Sequence, residues 1–190
     1  MALTEQLTLD EFLRLPEESP ELEYERGAVT QKMAPMARHS RLQVGLCIRF
    51  EQHGDPLQAV IAFSEARITW LDEGISYVPD VSAYREDRVP ADADGDVADQ
   101  LTVPPDVAVE IWSMGQSLAR QMDRCRWYVA HGVAVSLLVH PQRRAIWAFR
   151  PGSEIGPLAG QDEVDLRDAF DGLTFSVAEL FATLRPRRRR

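Results

Sequence analysis

The sequence predicts an α/β (α+β) domain in which a mixed central sheet is flanked by helices. Three observations carry that prediction. Short segments rich in β-branched and aromatic residues, such as AVIAF, ARITWL and VAVEIW, recur between turn-forming residues. Two longer stretches have helical periodicity, one of them placing Leu118, Met122, Cys125 and Val129 at i, i+4, i+7 and i+11. The two periods are interleaved along one chain, so helices and strands have to pack on one another around a common core.

The elements follow in order. Residues 8–15 open with a capping box, Thr8 with Glu11, and continue through Phe12 and Leu15 as a short helix. LEYERGAVTQKMAP forms a hairpin turning at Gly27. ARHSRLQVGLCIRFEQHG is helical, with Leu42, Leu46, Ile48 and Phe50 apolar and Gly54 as its stop. AVIAF, ARITWL and YVPDVSAY are three strands. REDRVPADADGDVADQ is an acidic loop, too polar to be core. A strand over 106–112 follows, then a helix over 116–131, then a hairpin of VSLLVHP and AIWAFRP; a short strand and a helix close the chain. There is no internal repeat. Residues 1–184 are expected to form one domain, and 185–190, RPRRRR, a disordered basic terminus.

Two acids disturb the pattern. In the strand 106–112, Val107, Val109 and Ile111 share one face, so Glu110 sits between Ala108 and Trp112 on the other. A lone buried carboxylate is costly unless it is paired, hydrogen-bonded or bound to a metal. YVPDVSAY repeats the oddity with Asp80, preceded by Pro79, which limits that strand's ladder bonding. Two such strands can pair and bring the acids together, and like charges at that range need a cation between them. Two carboxylates plus waters suit Mg²⁺. The plainer alternative is that each acid accepts hydrogen bonds from backbone or arginine.

Composition narrows the classes. Cys47 and Cys125 lie far apart without metal-ligand spacing, and the first residues lack a basic region followed by an apolar run. An intracellular, cytoplasmic protein without structural zinc is expected. No apolar run approaches the length of a membrane span. The net charge is −9, and setting aside the five arginines of the terminus takes it to −14. Such a body is a poor non-specific nucleic-acid binder, because that binding comes from phosphate neutralisation by basic residues.

LEYERG, ARHSRL, VPDVSAY, VAVEIWS, RCRWYVAHGV and LLVHP stand in the order and approximate spacing of the Uma-type restriction endonucleases, a branch of the PD-(D/E)xK nuclease superfamily, over about residues 8–150. The resemblance implies a restriction-endonuclease-like fold with the acids on adjacent strands. It implies that Asp80 and Glu110 are the motif's two acids, holding Mg²⁺ or Mn²⁺ with the main-chain carbonyl of Ile111. Glu23 matches the acid of the family's hairpin, and His39 the histidine at the start of the next helix. The chain also departs from the pattern. Two residues after Glu110 stands Trp112 instead of lysine, and four before Tyr128, where the lysine migrates in Uma-type proteins, stands Arg124. Arg120 replaces an aspartate, Ser113-Met114 a Ser-Pro, and His140 another aspartate.

An arginine can clamp a phosphate through its fork but is in practice always protonated, so Arg124 cannot serve as a base. The catalytic set expected from the resemblance is Asp80, Glu110, Arg124, His39 and Glu23, with Arg120 and Arg124 contacting DNA. Without it, Arg120 and Arg124 are a solvated pair, His39 a cap or surface residue, and Glu23 the partner of an arginine. Lys32, the chain's only lysine, lies on the hairpin, from which it could reach the site, but reads better as an exposed strand residue. The expected function is metal-dependent hydrolysis of DNA phosphodiesters. The alternatives are a catalytically weakened relative that binds nucleic acid, and a scaffold whose acids form structural ion pairs. Cutting both strands of a duplex would favour a symmetric homodimer.

Overall fold

The computed structural model describes residues 7–53 and 59–186. The chain begins with α1 (Leu9–Leu13), where Thr8 and Glu11 form the reciprocal capping box read from the sequence. β1 (Leu22–Glu25) and β2 (Ala28–Gln31) join in a tight hairpin through Arg26 and Gly27, both at positive φ, as a two-residue loop of this hand requires. α2 (Ala37–Glu51) follows; the stop assigned to Gly54 lies outside the described residues. Then come β3 (Val60–Ser64), β4 (Ile68–Trp70), β5 (Ile75–Tyr77) and β6 (Val81–Arg85). After the acidic loop, β7 (Val107–Ile111), α3 (Leu118–Ala130), β8 (Val135–His140) and β9 (Ala145–Arg150) build the centre. β10 (Ser153–Ala159), β11 (Glu163–Asp165), β12 (Thr174–Ser176) and α4 (Val177–Ala182) complete the described chain.

The central sheet has six strands in the order β10-β9-β8-β7-β6-β3. All its pairs are antiparallel except β7 with β8, which are parallel and joined by the crossover helix α3. A second, four-stranded antiparallel sheet runs β2-β1-β5-β4. On one face of the central sheet, Leu42, Leu46 and Phe50 of α2 pack with Val107, Val109, Ile111, Leu137 and Phe181. On the other, Cys125 of α3 meets Leu138 and Phe149, with Leu118, Met122 and Val129 packed alongside. The period-two reading of β7 and the helical stripe of α3 therefore each face what they must cover.

Two expectations are corrected. YVPDVSAY is two strands: β5 ends at Tyr77 in the small sheet, and β6 begins at Val81 in the central one. Pro79 has no N–H to give a ladder, so the chain leaves one sheet before it and enters the other after it. Asp80 consequently stands at the junction of the two sheets and not inside a strand. The second correction is β10, an edge strand that the sequence reading omitted. It is almost wholly exposed, and a register irregularity falls between Ile155 and Leu158. An edge strand with no buried face shows no alternation to read.

Candidate active site

The β6–β7 register sets the geometry of the two acids. Val81 pairs with Val109, so one step further out Asp80 stands opposite Glu110. Val81 and Val109 face the α2 core, which sends Asp80 and Glu110 to the other side. Both are buried.

Asp80 is the hub. Its Oδ1 accepts from Lys32 Nζ at 2.6 Å and lies 3.3 Å from His39 Nε2; its Oδ2 accepts from the Ile111 N–H at 2.7 Å. Lys32 Nζ also donates to the Val78 carbonyl at 2.7 Å. The exposed strand lysine of the sequence reading is thus a buried-site residue, a correction that stems from its place just past β2, where the hairpin folds back over Val78–Asp80. α2 reaches the same point twice. His39 approaches the carboxylate, and one turn later Gln43 Nε2 donates to the Asp80 carbonyl at 3.2 Å. His39 Nδ1 lies 3.1 Å from Ser113 Oγ, in the turn that follows β7. The plain reading of His39 as a cap or surface residue does not hold, because the residue is buried.

Glu65 is the residue that sequence reasoning missed entirely. It follows β3 in the left-handed region, with φ of 53°, and its N–H donates to the Asp80 carbonyl at 3.3 Å. One ligand atom each from His39, Glu65 and Asp80 lie within 4.8 Å of one another. Nothing in the local spacing marks Glu65, which is one acid after an apolar strand. Lys32 had a signal, its uniqueness in the composition.

Glu110 takes a hydrogen bond from Tyr128 Oη at 2.7 Å. Burial pushes its carboxyl up, and the charge of Asp80 adds to this, reaching about 7 against the pull of Arg124 and Lys32. Asp80 goes the other way. Burial works to raise it, but the charge of Lys32 and the hydrogen bond and charge of His39 outweigh burial and hold it at about 2. Burial also disfavours the Lys32 ammonium, yet Asp80, Glu110 and Glu23 together keep it above the ordinary lysine range.

Arg124 points into this region, as the resemblance implies, but its Nη1 is bound to Glu23 Oε1 at 2.5 Å and its guanidinium lies 4.1 Å from the Tyr77 ring centroid. Glu23 Oε1 also accepts from the Val78 N–H at 3.0 Å. The arginine partner foreseen for Glu23 is therefore Arg124 itself. Arg120, a turn earlier, is exposed, and its described contact is a backbone N–H to the N-cap Ser117. Trp112, where superfamily members carry lysine, stacks on His140 with centroids 4.3 Å apart.

The donor set, carboxylates with one imidazole, suits a hard or borderline divalent cation. The buried His39 Nε2 lies 3.3 Å from Asp80 Oδ1, so the imidazole and the carboxylate offer ligand atoms to the same point. Glu23, Glu65, Asp80 and Glu110 carry four negative charges when ionised against the fixed positive charges of Lys32 and Arg124. One divalent cation closes that difference.

The profile of the Uma2 family, described as "Putative restriction endonuclease", matches residues 9–178. That span passes Arg150 and takes in most of the C-terminal segment that the sequence reading had left outside the resemblance. Among solved structures, the crystal structure of "a putative nuclease belonging to DUF820" from Anabaena variabilis superposes with a TM-score of 0.85 at 30% identity, covering 94% of this chain and 99% of that one. No curated protein matches the chain.

Proposed function

The chain belongs to the Uma2 family, and on that premise we propose that it is a divalent-metal-dependent endonuclease hydrolysing DNA phosphodiesters. The observation that carries the reading is the convergence of Glu65, His39 and Lys32 on Asp80, with Glu110 directly across the strand pair. Asp80, Glu65 and His39 would hold the cation from one side, Glu110 and the Ile111 carbonyl from the other. A bound Mg²⁺ or Mn²⁺ supplies Lewis acidity and a water of lowered pKa. The imidazole tilts the preference toward Mn²⁺.

The chain's own residues do the rest. Ser113 and Asp80 hold the His39 ring between them, so that Nε2 stays directed into the site. Tyr128 fixes the Glu110 carboxylate by donating to one of its oxygens. Glu23, pinned by Arg124 and the Val78 N–H, holds the β1 hairpin against the segment that carries Asp80.

The test combines metal binding and turnover. Millimolar Mn²⁺ should raise the melting temperature by an amount corresponding to about 1 to 3 kcal/mol at 10 to 100 times Kd. Asp80→Asn should remove most of that rise, and the parent protein should nick plasmid DNA under Mn²⁺ where the variant does not. A melting temperature indifferent to Mn²⁺ would overturn the metal-dependent reading. Metal binding without any cleavage of single- or double-stranded DNA would leave a nucleic-acid-binding relative instead of an enzyme.

A further inference from the structure

Lys32 stands alone among twenty arginines, and it is placed inside the site. Two of its three ammonium donors are engaged, by Asp80 Oδ1 and the Val78 carbonyl. Its side chain is 13% exposed, and among the described hydrogen bonds its third donor has no acceptor. The other cation of the site is committed elsewhere. Arg124 lies across the Tyr77 ring with its fork on Glu23, and turning toward a phosphate on Asp80 would break both contacts. β7 contributes Trp112, which is stacked on His140. Of the hairpin, the strand and the helix, only the hairpin brings a fixed positive charge into contact with Asp80.

We propose that Lys32 is a catalytic residue of this site, its third N–H donating to a non-bridging oxygen of the scissile phosphate as negative charge grows there. The inference rests on the hydrolytic reading above. In the step, a water oxygen bonds to phosphorus while the bond from phosphorus to the leaving sugar oxygen breaks. The water's proton passes to solvent, and the leaving oxygen takes a proton from solvent. Lys32 keeps its own proton throughout and contributes charge and a hydrogen bond at the oxygen where charge develops. A compact ammonium fits between two acceptors and still presents a donor, whereas a planar guanidinium would not.

Because the chain has one lysine, protein grown with isotopically labelled lysine has a single side-chain ammonium resonance, which reports on Lys32 alone. That resonance is expected to shift when a short DNA duplex is added in the presence of Ca²⁺, beyond any shift caused by Ca²⁺ itself. Lys32→Met should still gain melting temperature from Mn²⁺, yet nick plasmid DNA about 100-fold more slowly, the effect of removing one charge-stabilising donor. Lys32→Arg should not restore the rate. A Lys32→Met protein that nicks like the parent, or a resonance that ignores DNA, overturns the assignment. Should the parent itself cleave no DNA, the hydrolytic reading fails, and the resonance still decides on Lys32: a shift on DNA binding supports it as the phosphate contact, and its absence removes it. The resonance needs no substitution, so a variant that fails to fold does not blunt the test.

Discussion

Asp80 and Asp106 both sit in the tripeptide Pro-Asp-Val, and they do different things. Asp106 accepts from the Arg85 N–H at 2.8 Å and is clasped by the Arg88 guanidinium, an arrangement that is complete in itself. Asp80 is shared among lysine, histidine and a strand N–H, beside a second acid that cannot ionise cheaply. Glu110 has its pKa raised from 4.5 to about 7, so the folded state holds a proton that the unfolded chain loses between those values. Stability on this account falls as pH rises through that window. Glu110→Gln, which keeps an acceptor for Tyr128, should therefore be more stable than the parent above pH 7 by something on the order of 3 kcal/mol, and equal to it below the carboxylate range. Thermal unfolding across pH checks this. Asp80 has the opposite sign: held at about 2 instead of 3.8, it contributes stability that is present above its ordinary value and lost as pH falls toward about 2. At Arg124, replacement by lysine removes the fork on Glu23 and the stacking on the ring face of Tyr77. The expected result is a loss of stability of about 1 to 3 kcal/mol, read as a lower melting temperature, with no gain in nicking. A faster Arg124→Lys enzyme would show that the helix position, and not the hairpin, carries the active cation.

At the scale of elements, α2 joins the core to the site. Its buried stripe of Leu42, Leu46 and Phe50 is anchored beneath the central sheet, while His39 and Gln43 on the adjoining face reach Asp80. Loosening the stripe should therefore disturb the site. Gly45 tests the fit from the other side, because a Cβ there would stand 3.0 Å from Thr183 Oγ1 at the end of α4. Gly45→Ala trades helix propensity, about 1 kcal/mol in its favour, against that crowding and should be nearly neutral. Gly45→Leu should cost about 1 to 3 kcal/mol in denaturant unfolding by forcing α4 away. A stable Gly45→Leu protein would mean that α4 is free to shift. α2 and α3 were legible because their burial follows a period, and the β1–β2 hairpin because its turn needs special residues. The break between β5 and β6 was half legible: Pro79 marked a place where ladder bonding fails, but not that the chain changes sheets there.

The whole molecule is acidic, and among the described residues no helix is long and apolar enough to cross a membrane. DNA binding by such a body depends on where its few basic residues lie. Five of the arginines fall within residues 185–190. Removing residues 185–190 should weaken binding to duplex DNA and make its salt dependence shallower, by about 0.9 in the logarithmic slope for each phosphate that those arginines neutralise. Binding isotherms at several salt concentrations check this, and an unchanged slope would mean that the terminus does not touch the duplex. The sequence by itself determined most of the element order, the buried faces of β7 and α3, and the two acids that do not belong in a core, because periodicity and the cost of a buried charge are local properties. It also carried enough family pattern to imply the nuclease fold. Only the tertiary structure decided which cation stands beside those acids. Lys32 and Asp80 are 48 residues apart, Arg124 and Glu23 are 101 apart, and Glu65 reaches Asp80 from a third strand. Such pairings follow from sheet order and register, and no residue's neighbours in the chain encode them.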